Sequence, residues 1–231
     1  NYGADVGFIG AWEQERCTSI LYLVNHGIKV RVFGDGKWND YKNYNSNLIV
    51  EGAGLRGEDY CKSLQATRIN LCFLRKINFD QQTTRSVEIP ACGGFMMAER
   101  TAEHLAMFEE GKEAAFFSNN EELLDKCSYY LAHEQERAVI AELGLKRCIA
   151  SDYSNRGMIR NILKAIYGSY NIRIFSQKVG EQGFYCLHSF CNVFLAFFGE
   201  TTRMWYVMDF LVSFFKKMTQ CNYFYRKHFC F

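Results

Sequence analysis

The sequence has no Cys-x-x-Cys pair, although it holds ten cysteines, and its five histidines include no His-x3-His pair. A structural zinc site needs such close ligand pairs, so that class is set aside. Cys17, Cys61, Cys72, Cys92, Cys127 and Cys148 each fall singly within apolar patterns. Thiols so placed pack as small hydrophobes, and buried, reduced cysteines are expected rather than a disulfide framework. The formal net charge is only +2, so no whole-protein field draws in nucleic acid. No basic N-terminal region followed by an apolar stretch and a cleavage site is present, which argues against secretion. The apolar stretches 184–198 and 204–215 are too short and too interrupted to cross a bilayer. No internal repeat is evident.

Proline is the scarcest residue, and the single one, Pro90, marks the most informative stretch. Asp80 to Glu103 reads DQQTTRSVEIPACGGFMMAERTAE, with Glu88 two residues before Pro90 and the pair Gly93-Gly94 just after it. The pattern predicts a loop entering a helix with Pro90 in the first turn, followed by a buried strand over Phe95 to Ala98. Proline is tolerated in a first turn because those N–H groups have no intrahelical partner. Such a helix start also favours a bound phosphate.

The first 165 residues alternate short apolar runs with amphipathic segments, which predicts an α/β fold with a parallel sheet. Strands are expected at Val6 to Ile9, Lys29 to Phe33, Leu48 to Val50 and Ile69 to Phe73, and Ala114 to Phe117 is a further short apolar run. Helices are expected at Glu13 to Asn25, ended by Gly27, and at Glu58 to Gln65. Ser118 with Glu121 three positions on has the pattern of a capping box. From there to Ile166 the sequence predicts helices, broken near His133 and Asp152.

The run RSVEIPACGGFMMAERTAEH resembles the donor-binding half of group-1 glycosyltransferases of the GT-B architecture. It is most similar to the bacterial spore-maturation (CgeB-like) glycosyltransferases. Two acidic residues separated by seven positions, then a small-residue-Cys-Gly element, mark that superfamily; Asp80, Glu88 and Ala91-Cys92-Gly93 fit it. The resemblance extends from about Asp5 to about Ile162. It implies a Rossmann-like nucleotide-sugar-binding domain over residues 1–166, with UDP-, GDP- or another NDP-sugar as the donor and no bound metal. The acceptor would be a glycan, lipid or protein. It implies that Glu88 holds the nucleotide ribose and that Asp80, standing where the family prefers Glu, faces the donor sugar. Arg75, Lys76 and Arg85 offer charge to the diphosphate, whose leaving group departs with its charge. Arg75-Lys76 sits at a strand's C-terminal end, where α/β folds bind ligands. Many relatives carry a basic residue directly after the glycine that follows the first strand, and a second five positions further on. Here Gly10 matches the glycine and Arg16 the second basic residue, but Ala11 replaces the first, so one grip is missing or comes from elsewhere. Gly93 and Gly94 would let the backbone approach the donor closely, or would end the helix, or both.

The acceptor-binding half that precedes this one in such enzymes is expected to lie outside the sequence, and a cytoplasmic location is expected. Residues 167–231 are set apart by composition: 18 of the 37 aromatics fall in 168–231. That tail reads as a membrane-surface or interface element, or as an altered reading frame. Two other functions stay open. One is a non-catalytic nucleotide-sugar-binding module. The other is a dinucleotide-dependent oxidoreductase resting on Gly52, Gly54 and Gly57, which follow a strand and precede a helix.

Overall fold

The structure, a computed structural model, describes residues 2–167; the aromatic-rich tail from 168 on lies outside them. Six parallel strands form one sheet: β1 (Ala4–Ile9), β2 (Val30–Phe33), β3 (Leu48–Val50), β4 (Thr67–Cys72), β5 (Met96–Glu99) and β6 (Ala115–Phe117). Their spatial order is β3-β2-β1-β4-β5-β6. This is the doubly wound order, in which the chain reverses direction across the sheet between β1 and β4. The helices are α1 (Gln14–Asn25), α2 (Gly57–Ala66), α3 (Arg85–Ala91), α4 (Ala102–Met107), α5 (Asn120–Ala132), α6 (Glu134–Ala150) and α7 (Asn155–Tyr167). The first compact unit closes at Ser154, and α7 belongs to a second unit that begins at Asn155.

Side chains alternate across the strands, so the two faces build separate cores. Val6, Phe8, Ile69, Leu71, Met97 and Phe117 pack with Ile20 and Leu23 of α1 and Leu123 and Cys127 of α5. Cys72, Met96, Ala98 and Phe116 pack with Leu64 of α2, Ile89 of α3 and Cys148 of α6. α1 and α3 therefore flank opposite faces. The break expected near His133 separates α5 from α6, and Asp152, with φ +48, precedes α7.

Two details of the chain differ from expectation. Pro90 lies in the last turn of α3, not the first. Its ring removes one helical N–H only where the helix is about to stop. The end is then closed by N–H groups of Gly93 and Gly94, which donate to the carbonyls of Pro90 and Ile89 at 2.9 and 3.0 Å. Those two bonds, with Gly93 at φ +77, make a Schellman motif. The cap of α5 also shifts by one residue. Asn119, not Ser118, accepts from the Glu122 N–H at 2.8 Å, and the Glu122 carboxylate accepts from the Ser118 N–H at 2.8 Å.

Candidate donor site at the strand crossover

The C-terminal ends of β1 and β4 flank the point where strand order reverses, the crevice in which open α/β sheets bind ligands. Gly10 follows β1 there. A side chain at Gly10 would lie 2.8 Å from the Phe8 ring and 3.3 Å from an Arg85 nitrogen, so the turn is bare where two elements converge. The turn leads into α1, whose N-terminus carries no side-chain cap.

Arg16 sits in the first turn of α1 and is only 5 % exposed. It donates to the Ala11 carbonyl at 3.3 Å and to the Leu74 carbonyl at 3.2 Å, tying the β1 and β4 ends together. Arg85, the first residue of α3, reaches from the other face and donates to the Ile9 carbonyl at 3.4 Å. Both guanidiniums stand over the same ring: Arg16 at 5.9 Å and Arg85 at 5.7 Å from the Phe8 centroid. Each has a buried Nε–H with no acceptor. Burial holds the Arg16 pKa below its usual value; Glu13 opposes that, and the nearby Arg85 and Arg75 charges add to it. Two like charges and two unsatisfied donors in one desolvated place would be relieved by an anion.

Acidic groups flank this basic pair. Glu13 meets Arg75 at 2.8 Å and Arg16 at 3.6 Å. The Glu99 carboxylate accepts from the Leu74 N–H at 2.6 Å and lies 3.7 Å from Lys76. Arg75 and Lys76 are more than half exposed, so these ion pairs hold the side chains weakly. A crevice of about 280 Å³ opens beside them, lined by Lys76, Asp80, Glu99, Arg100 and Thr101 among others.

Glu88 lies one turn further along α3. Its carboxylate accepts from the hydroxyl of Tyr60 of α2 at 2.9 Å. Burial first, and then Glu88, push the Tyr60 hydroxyl above its ordinary pKa, so it stays a donor. Behind the α3 start, the Ser86 hydroxyl is 2.7 Å from His104 Nε2, and His104 Nδ1 is 2.6 Å from the Glu99 carbonyl. Ser86 and His104 are fully buried. This chain of bonds fixes the helix that carries Arg85 and Glu88.

The fold thus brings together Arg16, Arg85, Arg75, Lys76 and Asp80 at the C-terminal end of the central strands, with Glu88 a turn behind them. It does not bring Gly93 and Gly94 there. α3 runs back along the sheet, so it ends at the N-terminal end of the strands, just before β5. A side chain on Gly94 would lie 2.8 Å from Asn70 Nδ2 and 3.1 Å from the Leu64 carbonyl. These glycines serve helix termination and packing. At the start of α3, the N–H groups of Ser86, Val87 and Glu88 already donate to the carbonyls of Thr83 and Thr84, which leaves fewer of them for a phosphate. Positive charge in this crevice comes from side chains.

Glu13 is visible in the sequence as an i, i+3 partner of Arg16; Tyr60 and Phe8 were not distinguished and carry no local signal. The glycines at 52, 54 and 57 lie between β3 and α2, at the sheet edge and two strands from the crossover. The dinucleotide fingerprint belongs in the turn after β1, which here runs Gly10-Ala11-Trp12-Glu13. Among the described residues, no three His, Cys, Asp or Glu side chains gather as metal ligands, and no helix is long and apolar enough to cross a membrane.

The fold and this crossover site define a Rossmann-like domain of the kind found in GT-B glycosyltransferases. The family model described as glycosyl transferase-like matches residues 17–164, and the chain belongs to that family. Solved structures agree at the level of fold. HepE of Anabaena, in complex with UDP and glucose, superimposes with a TM-score of 0.54 at 16% identity, over 71% of this chain and 48% of that one. A point mutant of S. aureus TarM, in complex with fondaparinux, α-GlcNAc-glycerol and UDP, gives 0.54 at 16% identity over 70% and 36%. Sucrose-phosphate synthase of Thermosynechococcus elongatus gives 0.55 at 12% identity over 71% and 46%. The chain therefore spans between a third and half the length of these proteins. Among curated proteins, none matches it in sequence.

Proposed function

We propose that this chain is the donor-binding part of a glycosyltransferase that moves a sugar from a nucleoside diphosphate to a glycan, lipid or protein acceptor. One observation carries the reading. Arg16 and Arg85 converge over Phe8 at the strand crossover, each with a buried Nε–H that lacks an acceptor. A diphosphate supplies acceptors and charge of the right sign for both, and bidentate pairing suits the guanidinium fork. As the sugar leaves, negative charge grows on the departing diphosphate. Fixed cations stabilise it more than they stabilise the bound donor, which is how binding becomes rate. Arg85 takes the place of the basic residue that Ala11 lacks.

Asp80 lines the crevice beside Lys76 and would face the donor sugar. Glu88, held by Tyr60, would accept from the ribose hydroxyls. Arg75 and Lys76, exposed at the rim, would meet the diphosphate from outside. Two of the structural neighbours were solved with UDP, which makes a uridine diphosphate the first donor to test. The finer placing, beside the spore-maturation enzymes, rests on the segment from Arg85 to His104.

Calorimetric titration of the full chain with UDP, GDP, ADP and NAD tests this directly. Binding of one nucleoside diphosphate, weakened by Arg16→Ala and Arg85→Ala, is expected. Binding of NAD in place of all three diphosphates would overturn it. Diphosphate binding without any sugar transfer, after the remainder of the parent protein is supplied, would favour the non-catalytic module.

A further inference from the structure

Behind the donor site, Cys61 of α2 and Cys92, the capping residue of α3, hold their sulfurs 3.1 Å apart. This is closer than non-bonded sulfurs ordinarily rest. Bridged sulfurs lie at about 2.05 Å, so a closing movement of about 1 Å would join them. Cys92 is 8 % exposed and packs among apolar residues that include Leu64 and Ile89, while Cys61 is only partly buried. No other described cysteine is held sulfur to sulfur: Cys72 faces the Ser86 hydroxyl at 3.7 Å and Cys148 faces the Val87 carbonyl at 3.9 Å. Cys61 follows Tyr60 directly, and Cys92 lies one turn beyond Glu88, so the thiol pair and the Tyr60–Glu88 hydrogen bond share one helix seam.

We propose that Cys61 and Cys92 are a reversible oxidation site, which a peroxide converts into a disulfide stapling α2 to the end of α3. The Cys61 thiolate attacks one peroxide oxygen; the O–O bond breaks, hydroxide leaves, and Cys61 becomes a sulfenic acid. The Cys92 sulfur then attacks the Cys61 sulfur; the S–S bond forms, the S–O bond breaks, and the oxygen departs as water with the Cys92 proton. In sum, two thiols and one peroxide give a disulfide and two waters. A dithiol reductant reverses the bond by exchange. Burial pushes the Cys92 thiol up, so the partly exposed Cys61 is the sulfur that meets peroxide first, and the reaction is slow and suits a protective bond. The bond would enclose residues 61–92, which carry β4, Arg85 and Glu88. Such a closure restricts the unfolded chain and raises the melting temperature.

The test is exposure of the full 231-residue chain to hydrogen peroxide, followed by non-reducing peptide mapping and thermal melts. A cross-linked Cys61–Cys92 peptide two hydrogens lighter than its parts is expected. Dithiothreitol should erase it, and the melting temperature should rise by several degrees when it forms. Cys61→Ser and Cys92→Ser should each abolish both the cross-link and the rise; should one fail to fold, the other and the wild-type map decide. The proposal is overturned if Cys61 advances to sulfinic acid while Cys92 stays a free thiol. It is equally overturned if peroxide links only Cys186, Cys191, Cys221 or Cys230, which lie beyond the described residues.

Discussion

Arg16 and Arg85 come from helices on opposite faces of the sheet and meet over one ring, Phe8, at 5.9 and 5.7 Å. Neither helix alone could place two guanidiniums there. The doubly wound order does it, because α1 follows β1 and α3 follows β4, and these strands are neighbours. Replacing either arginine by alanine should weaken nucleoside diphosphate binding by about 1.5–3 kcal/mol, the scale of a charge-assisted hydrogen bond. Arg85→Lys keeps the charge but loses the planar fork, so it should recover only part of that. Calorimetry at two salt concentrations checks this. Full affinity in both alanine variants would remove the arginines from the site.

Glu88 should confer a preference for ribose. Wild-type protein should bind a ribonucleoside diphosphate more tightly than its 2′,3′-dideoxy counterpart, and Glu88→Ala should remove the difference. Tyr60→Phe deletes the hydroxyl that donates to Glu88 at 2.9 Å. It should lower the ribonucleotide affinity by about 0.5–1.5 kcal/mol, the net worth of one ordinary hydrogen bond, with little change for the dideoxy ligand. Competition titration separates the two ligands. Equal losses for both would assign Glu88 to holding α2 against α3 rather than to the ribose.

Gly93 and Gly94 should matter to stability and not to the donor. Gly93 has φ +77, where a side chain costs about 1–2 kcal/mol. A methyl group at Gly94 would press on Asn70 and on the Leu64 and Ile89 carbonyls, at 2.8, 3.1 and 3.2 Å. Overpacking of this kind costs about 1–3 kcal/mol. Gly93→Ala and Gly94→Ala should lower the melting temperature while leaving diphosphate affinity unchanged in protein that remains folded. A selective loss of affinity would restore these glycines to the donor pocket.

What the sequence could show follows the range of the physics. β1 to β5 were legible because a buried strand is a short apolar run, and Val6 to Ile9 says so locally; Ala114 to Phe117, where β6 lies, showed only as one more apolar run. Glu88 could be singled out because its spacing from Asp80 lies in one segment. The place of Pro90 was not: proline suits the first turn of a helix, and only the hydrogen bonds of Gly93 and Gly94 reveal that this helix is ending. The placing of Arg85 was half legible. Its charge could be read, but the carbonyl it bonds, that of Ile9, is 76 positions away. The seven-residue spacing cannot report a partner that arrives through the strand order. Tyr60 was missed for the same reason, since it meets Glu88 28 positions later.

His104 supplies a pH dependence whose sign can be worked out. It is fully buried, and burial lowers its pKa from the ordinary value of 6.5. With Ser86 accepting from the Thr83 N–H at 3.0 Å, its hydroxyl proton points to Nε2, and Nδ1–H donates to the Glu99 carbonyl. That arrangement requires the neutral ring. As pH falls below about 6.5 the unfolded chain takes up the proton first. The stability present above that pH is then lost, at up to about 1.4 kcal/mol per pH unit for one proton. His104→Gln can still donate and accept but does not titrate. Denaturant unfolding at pH 7.5 and 5.5 should show a loss of about 1 kcal/mol in the wild type that is absent in the variant. Identical pH profiles for wild type and His104→Gln would show that the ring is protonated without cost, and that α3 is fixed by its packing against Cys72, Met96 and Cys148 alone.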